Sequence, residues 1–355
     1  TAPIWLGSAP KVGINSVVNN TLMPVTTEAL NLTTTFFNND STAAVLKSIS
    51  YTVDGDASAN QTYTPGTSIA PLATAKHIFS YTPTAAGSKT VNISAVITVN
   101  GTDITCSAAI SMKVVDINSV LYVGLDASHG NEYVSGGSYP NSMSNMMTLA
   151  ANNSVRVVQL NTSQDLINAC SNPKYKMIIL NAPTRKNLSS WPNPTNYTAD
   201  EIAALKTFAE NGNTLVFGTI ADFAESKNYD TSSPKKHMSE LQNDILSAIG
   251  STLRESDDEV MDDDTNGGQP YRLYPTELNM ANPLLQGVVD GQTYSQYSGS
   301  TIYAVDPATG ERTAALPSTV SALVYGFPTT YSAECDNDNF GYGITKPAFP
   351  FITVG

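Results

Sequence analysis

Apolar and polar positions alternate through the first third of the chain and gather into runs after it. This change of period divides the sequence. Val91, Ile93, Ala95, Ile97 and Val99 fall at every second position, and after Asn100-Gly101 so do Ile104, Cys106, Ala108, Ile110, Met112 and Val114. A strand exposes alternate side chains to opposite faces, so period two marks a half-buried strand, and an Asn-Gly dipeptide between two such runs marks a hairpin. Upstream, "ALNLTTTFFNN", "AVLKSISYTVDG" and "KHIFSYTPTAAGSKTV" supply further short strands between Gly, Pro and Asn. Residues 1–116 therefore predict an all-β sandwich of two sheets.

From residue 117 the pattern changes. "SVLYVGLD", "SVRVVQL", "YKMIILNA" and "NTLVFGTI" are continuous apolar runs, as expected of strands buried on both faces of a parallel sheet. Helices are predicted between and after them, around 140–152, 163–171, 198–211 and 237–249. In the third, Thr198 and Glu201 form a capping box, Ile202, Leu205 and Phe208 make an apolar stripe, and Gly212 stands at the C-terminal cap. The fourth carries Met238, Leu241, Ile245, Leu246 and Ile249 before Gly250. This alternation predicts a doubly wound α/β domain with a parallel sheet over residues 117–355.

Two resemblances accompany these patterns. "FSYTPTAAGSKTVNIS" looks like the late strands of bacterial immunoglobulin-like domains, which implies a spacer or adhesion role for the first domain. "DASHGN" at the end of the first inner strand, "YTADEIAALKTFAENGNTLVFGT" and "DDEVMDDDTNGGQPYRLYP" together resemble a degenerate branch of the class I glutamine amidotransferase-like superfamily, over roughly residues 118–350. Members of that branch are appended to large extracellular bacterial proteins. Catalytic members of the superfamily carry a Cys nucleophile on a sharp G-x-C-x-G turn with a downstream His. Here the third inner strand reads "MIILNAPTRKN", and neither that elbow nor G-x-S-x-G occurs anywhere. Beyond residue 117 the His residues are His129 and His237, and Cys170 falls at the end of a predicted helix. The departures imply a domain without the family's thiol chemistry.

In open α/β sheets ligands collect outside the carboxyl ends of the strands. Asp126 to Glu132, Asn181 to Arg185 and Thr219 to Asp222 are those ends, and the polar segment 254–275 is long enough to fold over them. Asp126, Ser128 and His129 offer the residue types of a nucleophilic relay, although neighbours on a turn tend to diverge. Asp126 and His129 with a distal carboxylate, Asp222 or Asp258, offer ligands for a hydrolytic metal ion. The plainer reading is that Asp126 and His129 tie down the strand exit, with Asn131, Glu132, Asp222, Tyr271 and Arg272 available to contact a ligand.

The acidic segment carries its own signal. Asp262-x-Asp264-x-Asn266-Gly267 matches the first half of a calcium loop, in which alternate oxygens converge on the ion. The twelfth position is Leu273, where a bidentate Glu belongs; Glu259 and Glu277 are the nearest substitutes, and a solvated acidic loop is the alternative. "CDNDNFGYG" is a second Asp/Asn turn whose pattern Phe340 interrupts. Tyr271, Tyr274, Tyr294, Tyr297 and Tyr303 follow, and faces of this kind also stack on sugar rings.

Composition narrows the partners. The 18 basic residues against 31 acidic give a net charge of -13, which argues against nucleic acid and against an anionic membrane surface. Only 14% of residues are charged, Thr, Ser and Asn abound, and ten N-x-S/T sequons precede residue 200, at Asn19, Asn31, Asn39, Asn60, Asn92, Asn100, Asn152, Asn161, Asn187 and Asn196. That balance fits a secreted or cell-surface protein. Three cysteines, Cys106, Cys170 and Cys335, lack a C-x-x-C pair, which argues against a disulfide scaffold or thiolate zinc site and leaves a Cys170–Cys335 bridge open. No run reaches the roughly 20 apolar residues of a membrane helix. The start at Thr1 and the end on "FPFITVG" suit a processed or excised piece, or a terminal strand that joins another subunit.

The combined expectation is an extracellular, non-enzymatic structural or binding module of a larger surface protein. Its expected partners are a glycan or other surface-protein domains, and calcium is its expected ion. Two alternatives stand beside it: a metal-dependent hydrolase in the Asp126/His129 crevice, and a self-assembling surface-layer or fibre subunit.

Overall fold

The structure is a computed structural model. It describes residues 10–131, 133–137, 139–182, 196–220, 238–256, 258–289, 291, 294–313, 316–333 and 352–354, with backbone alone for 238–240 and 352–354. The chain divides into two compact units, Thr1–Leu121 with Met147–Arg156, and Tyr122–Met146 with Val157–Gly355.

Among the described residues up to Val114 the first unit holds eight strands: β1 (Val12–Asn19), β2 (Leu30–Asn38), β3 (Ala44–Val53), β4 (Gln61–Tyr63), β5 (Thr67–Ile69), β6 (Thr74–Tyr81), β7 (Gly87–Val99) and β8 (Thr102–Val114). They form one sheet in the order β1-β2-β6 and a second in the order β4-β3-β7-β8, with β5 also on β3. The pairings between these strands are antiparallel. The inward phase of each sheet meets in a single core of Leu30, Leu32, Phe36, Ile49, Tyr51, Phe79, Ile93 and Ile97, among others. Period two in the sequence thus became burial on alternate residues of β7. Asn100 (φ 51°) and Gly101 (φ 76°) both adopt the left-handed region that a tight two-residue hairpin needs, and Val99 faces Thr102 across the turn. Thr34 and Asn38, polar residues on the inward phase of β2, are paired. Thr34 Oγ1 meets Tyr51 OH at 3.1 Å, and Asn38 Nδ2 donates to the carbonyls of Thr42 and Ile69 at 2.8 and 2.9 Å. Cys106 is half-buried and its Sγ donates to the Ala95 carbonyl, so it is a strand residue with a weakly paired thiol.

In the second half a four-stranded sheet runs in the order β10-β9-β11-β12, from β9 (Leu121–Asp126), β10 (Val155–Leu160), β11 (Tyr175–Leu180) and β12 (Thr214–Phe217). β11 pairs in parallel with both β9 and β12. The intervening helices are α1 (Ser144–Asn152), α2 (Ser163–Ser171), α3 (Ala199–Glu210) and, after β12, α4 (Met238–Ala248). The apolar runs exist because both faces of β11 are covered. Ile178 and Leu180 pack with Leu166, Leu205, Phe208, Leu241 and Ile245, while Ile179 packs with Leu125 and Val134. Each fully buried side chain of the size of Leu205 or Phe208 stabilises by about 1.5–3 kcal/mol.

The doubly wound α/β domain predicted for 117–355 is not what forms. Strands outweigh helices in the molecule, and the parallel sheet is small. After α4 the strands among the described residues are short antiparallel pieces: β13 (Leu253–Glu255), β14 (Glu259–Met261), β15 (Arg272–Leu273), β16 (Glu277–Leu278), β17 (Gln296–Tyr297), β18 (Ile302–Ala304), β19 (Val324–Tyr325), β20 (Tyr331–Ala333) and β21 (Ile352–Val354). They pair as β13-β18, β14-β20, β15-β17 and β16-β19-β21. The alternation in 117–220 was extended over a region whose two- and three-residue strands are too short to display a period. The immunoglobulin-like reading of the first unit is compatible with its two antiparallel sheets.

Candidate functional site

β9 ends at Asp126, and the next residues turn back over the strand exit. Asp126 and His129 are almost wholly buried, at 0% and 1% exposure. Asp126 Oδ1 accepts from the Ser128 backbone N–H at 3.0 Å and from Ser128 Oγ at 2.7 Å. Its Oδ2 lies 3.0 Å from His129 Nδ1 and accepts from Tyr197 OH at 2.8 Å. The turn is fixed to β11 as well. His129 N–H donates to Asn131 Oδ1 at 3.1 Å, Asn131 Nδ2 donates to the Asn181 carbonyl at 2.8 Å, and Asn181 Nδ2 donates to the Tyr133 carbonyl at 3.2 Å.

The other side of the imidazole is closed by α3. Thr198 caps that helix, and Glu201 Oε2 accepts from the Thr198 N–H at 2.7 Å and from its hydroxyl at 2.9 Å. A capping Glu is usually solvated, but this one is 1% exposed. Its second oxygen, Oε1, lies 3.5 Å from His129 Nε2 as an ion pair and makes no hydrogen bond among the described residues. The Tyr197 ring lies over the imidazole, with centroids 3.8 Å apart.

The charges follow from these contacts. Burial opposes a charged His129, but its hydrogen bond to Asp126 and the proximity of Glu201 prevail and raise it to about 9. Burial would likewise raise both acids. The imidazolium and the Ser128 donors hold Asp126 below its ordinary value, and the imidazolium with the Thr198 N–H brings Glu201 to about 2. Tyr197 is pushed well above the usual phenol value by burial and by the Asp126 carboxylate. At neutral pH the cluster is an imidazolium between two carboxylates.

That wiring decides what the cluster can do. A nucleophilic relay needs the hydroxyl at one ring nitrogen and the acid at the other, so that the ring can pass a proton between them. Here Ser128 Oγ and Asp126 Oδ2 both meet Nδ1, each at 3.0 Å. Nε2 faces Glu201. A ring already protonated has no lone pair with which to activate a hydroxyl. The arrangement fastens a strand exit to a helix start.

The remaining sequence-predicted positions lie elsewhere. Asp258 is fully buried and accepts from Thr301 N–H at 2.8 Å, Thr301 Oγ1 at 2.6 Å and Ser332 Oγ. Asp262 is also fully buried. Its Oδ1 accepts from the N–H groups of Asp264 and Thr265 at 2.9 and 2.7 Å, and its Oδ2 from the hydroxyls of Thr329 and Thr330 at 2.7 and 3.0 Å. Asn266 Nδ2 donates to the Asp262 carbonyl at 2.7 Å, and its Oδ1 accepts from Gly268 N–H, while Asp264 is exposed. The segment is a loop whose Asp262 and Asn266 oxygens accept from its own backbone and from the Thr329 and Thr330 hydroxyls. Gly267 permits it, because a Cβ there would sit 2.2 Å from the Tyr274 ring. Among the described residues no group of three His, Cys, Asp or Glu is placed to hold a metal ion. Tyr271 stands edge-on to Tyr297 at 5.4 Å, and the Arg272 guanidinium lies 4.9 Å from the Tyr297 ring centre. Glu132, Asp222, His237, Cys335 and "CDNDNFGYG" lie outside the described residues. Cys170 makes no disulfide among the described residues.

Sequence reasoning found Asp126, Ser128, His129, Asn131 and the strand exit at Asn181 but missed Tyr197 and the inward oxygen of Glu201. The capping box was the available signal for Glu201; its burial was the missing half.

No family model matches the sequence, and no curated protein matches it. Among solved structures, red sea bream transglutaminase is similar over 30% of this chain and 15% of its own length, at 15% identity and a TM-score of 0.25. A CARDB domain from Pyrococcus furiosus is similar over 30% of this chain and 86% of its own, at 15% identity and a TM-score of 0.22. The sporulation control protein Spo0M from Bacillus subtilis covers 30% of this chain at 12% identity and a TM-score of 0.23. The chain spans only a small part of the transglutaminase. Likenesses at this level assign neither fold nor activity to the chain. No helix among the described residues is long and apolar enough to cross a membrane.

Proposed function

We propose that this chain is a non-catalytic module of an extracellular protein, in which the sandwich acts as a spacer and the second unit as a binding scaffold. One observation carries the reading: His129 is buried and held between Asp126 and Glu201, with the Ser128 hydroxyl on the same ring nitrogen as the acid. The acidic, hydroxyl-rich composition and the run of sequons support a location outside the cell. The test is labelling with a fluorophosphonate serine probe at neutral pH. No label at Ser128 is expected; label that disappears in Ser128→Ala overturns the proposal and favours a hydrolase.

A second reading, self-association, is supported by β8. Its thirteen residues pair only with β7 among the described strands. An unpaired edge of that length offers its free N–H and C=O groups to another strand. Antiparallel pairing of two copies about Ala108 sets Asp103 of each opposite Lys113 of the other, and Asp103, already bound to Lys47, then gains a second cation. Sedimentation velocity distinguishes the readings: a dimer that disappears in Ala108→Pro supports association, and a monomer at all concentrations removes it.

A further inference from the structure

The exit of β12 opens onto a second feature that the Asp126 cluster does not use, a pocket of about 220 Å³. Its walls come from Phe217 at the end of β12, from Thr219 just beyond it, and from Tyr294, Gln296, Tyr297 and Ser300. The two walls are joined by the Thr219 and Ser300 hydroxyls and by the Ser300 N–H, which donates to Thr219 Oγ1 at 3.3 Å. Gln296 is 7% exposed, yet its Oε1 has no hydrogen-bond partner among the described residues. Buried amide oxygens in folded proteins are nearly always paired, so an unpaired one on a pocket wall marks a place where something else can supply the donor. The amide lies flat against Gly299, where a Cβ would sit 2.2 Å from Nε2, so the backbone is shaped around this side chain.

The lining defines the ligand. Among the described residues that line the pocket none is charged, and Tyr and Phe rings stand beside hydroxyl and amide groups. A charged ligand would lose its hydration with nothing to replace it, whereas a ring bearing several hydroxyls matches both components. The volume falls below the roughly 300–1,000 Å³ of drug-sized sites, which limits the occupant to a single ring. Tyr297, 48% exposed, stands at the rim beside Tyr271 and Arg272, where a longer chain would continue.

We infer that the pocket between the β12 exit and the Tyr294–Ser300 segment binds one neutral sugar residue of a glycan, with the Gln296 amide as its buried polar contact. This rests on the reading of the second unit as a binding scaffold. The test uses the full chain in saturation-transfer NMR titrations with glucose, mannose and N-acetylglucosamine, against glucuronate as the charged counterpart. Longer oligosaccharides of the same sugars separate a glycan from a free monosaccharide. Saturable binding of a neutral sugar is expected, with at least tenfold weaker binding of glucuronate and a tighter fit for the oligosaccharide. Gln296→Met should weaken it at least tenfold. Tyr297→Ala, at an exposed position, should weaken the oligosaccharide more than the monosaccharide without disturbing the fold. No binding of any neutral sugar, equal binding of glucuronate, or undiminished binding in both variants overturns the inference. The non-catalytic reading would survive that failure, because it is decided at Ser128.

Discussion

His129 Nε2 and Glu201 Oε1 lie 3.5 Å apart, joining the turn after β9 to the first turn of α3. The same carboxylate caps that helix through its other oxygen. Glu201→Gln leaves His129 paired with Asp126 at Nδ1 but takes the counter-ion from Nε2. It is therefore expected to destabilise the second unit by about 1–3 kcal/mol, measured by urea denaturation. A change of a few tenths would show that the ring does not depend on this acid.

Stability should depend on pH in a defined direction. His129 rises from 6.5 to about 9 on folding, so its contribution is complete below 6.5 and is lost as pH climbs to 9. Glu255, fully buried, is pushed by desolvation from 4.5 to about 8, so it too favours the fold at low pH and loses that preference between 4.5 and 8. Glu201 falls from 4.5 to about 2, and its contribution is present above 4.5 and lost as pH drops to 2. Thermal midpoints should therefore peak near 4.5, decline from there as Glu255 ionises, and fall further between 6.5 and 9 as His129 loses its proton. A flat profile over pH 6–9 would contradict the charged imidazole, which NMR of the His129 ring protons reads directly.

Asp262 accepts four hydrogen bonds inside the acidic loop. Asp262→Ala leaves two N–H groups and two hydroxyls to find new partners, a loss of about 1–3 kcal/mol. Thermal melts with and without EDTA give the control. A large fall in midpoint on chelation of the wild-type chain would show that a cation, rather than this network, organises the loop.

Gly101 occupies φ 76° at the tip of the β7–β8 hairpin, with nothing within 4 Å of where a Cβ would be. Gly101→Ala meets no clash, so its cost is conformational alone, about 1 kcal/mol. Differential scanning calorimetry should register a drop of a few degrees at most.

What could be read from the sequence depended on the length over which a pattern repeats. Thirteen-residue strands such as β7 and β8 announce themselves, and Thr198 with Glu201 marked the start of α3. β15 and β16, at two residues each, carry no period, and a parallel fold was extended across them. At the site, adjacency in the chain brought Asp126, Ser128 and His129 forward. Tyr197 and Glu201 reach the same imidazole only through tertiary packing, and the wiring that excludes a relay exists at that level alone.

The shared carboxylate of Glu201 has an evolutionary corollary. To free the ring for proton transfer, a substitution would have to take away the counter-ion at Nε2, and most such changes also remove the acceptor for the Thr198 N–H at the start of α3. Gln alone drops the charge and keeps that half of the capping box, so the route to new chemistry at this strand exit is narrow.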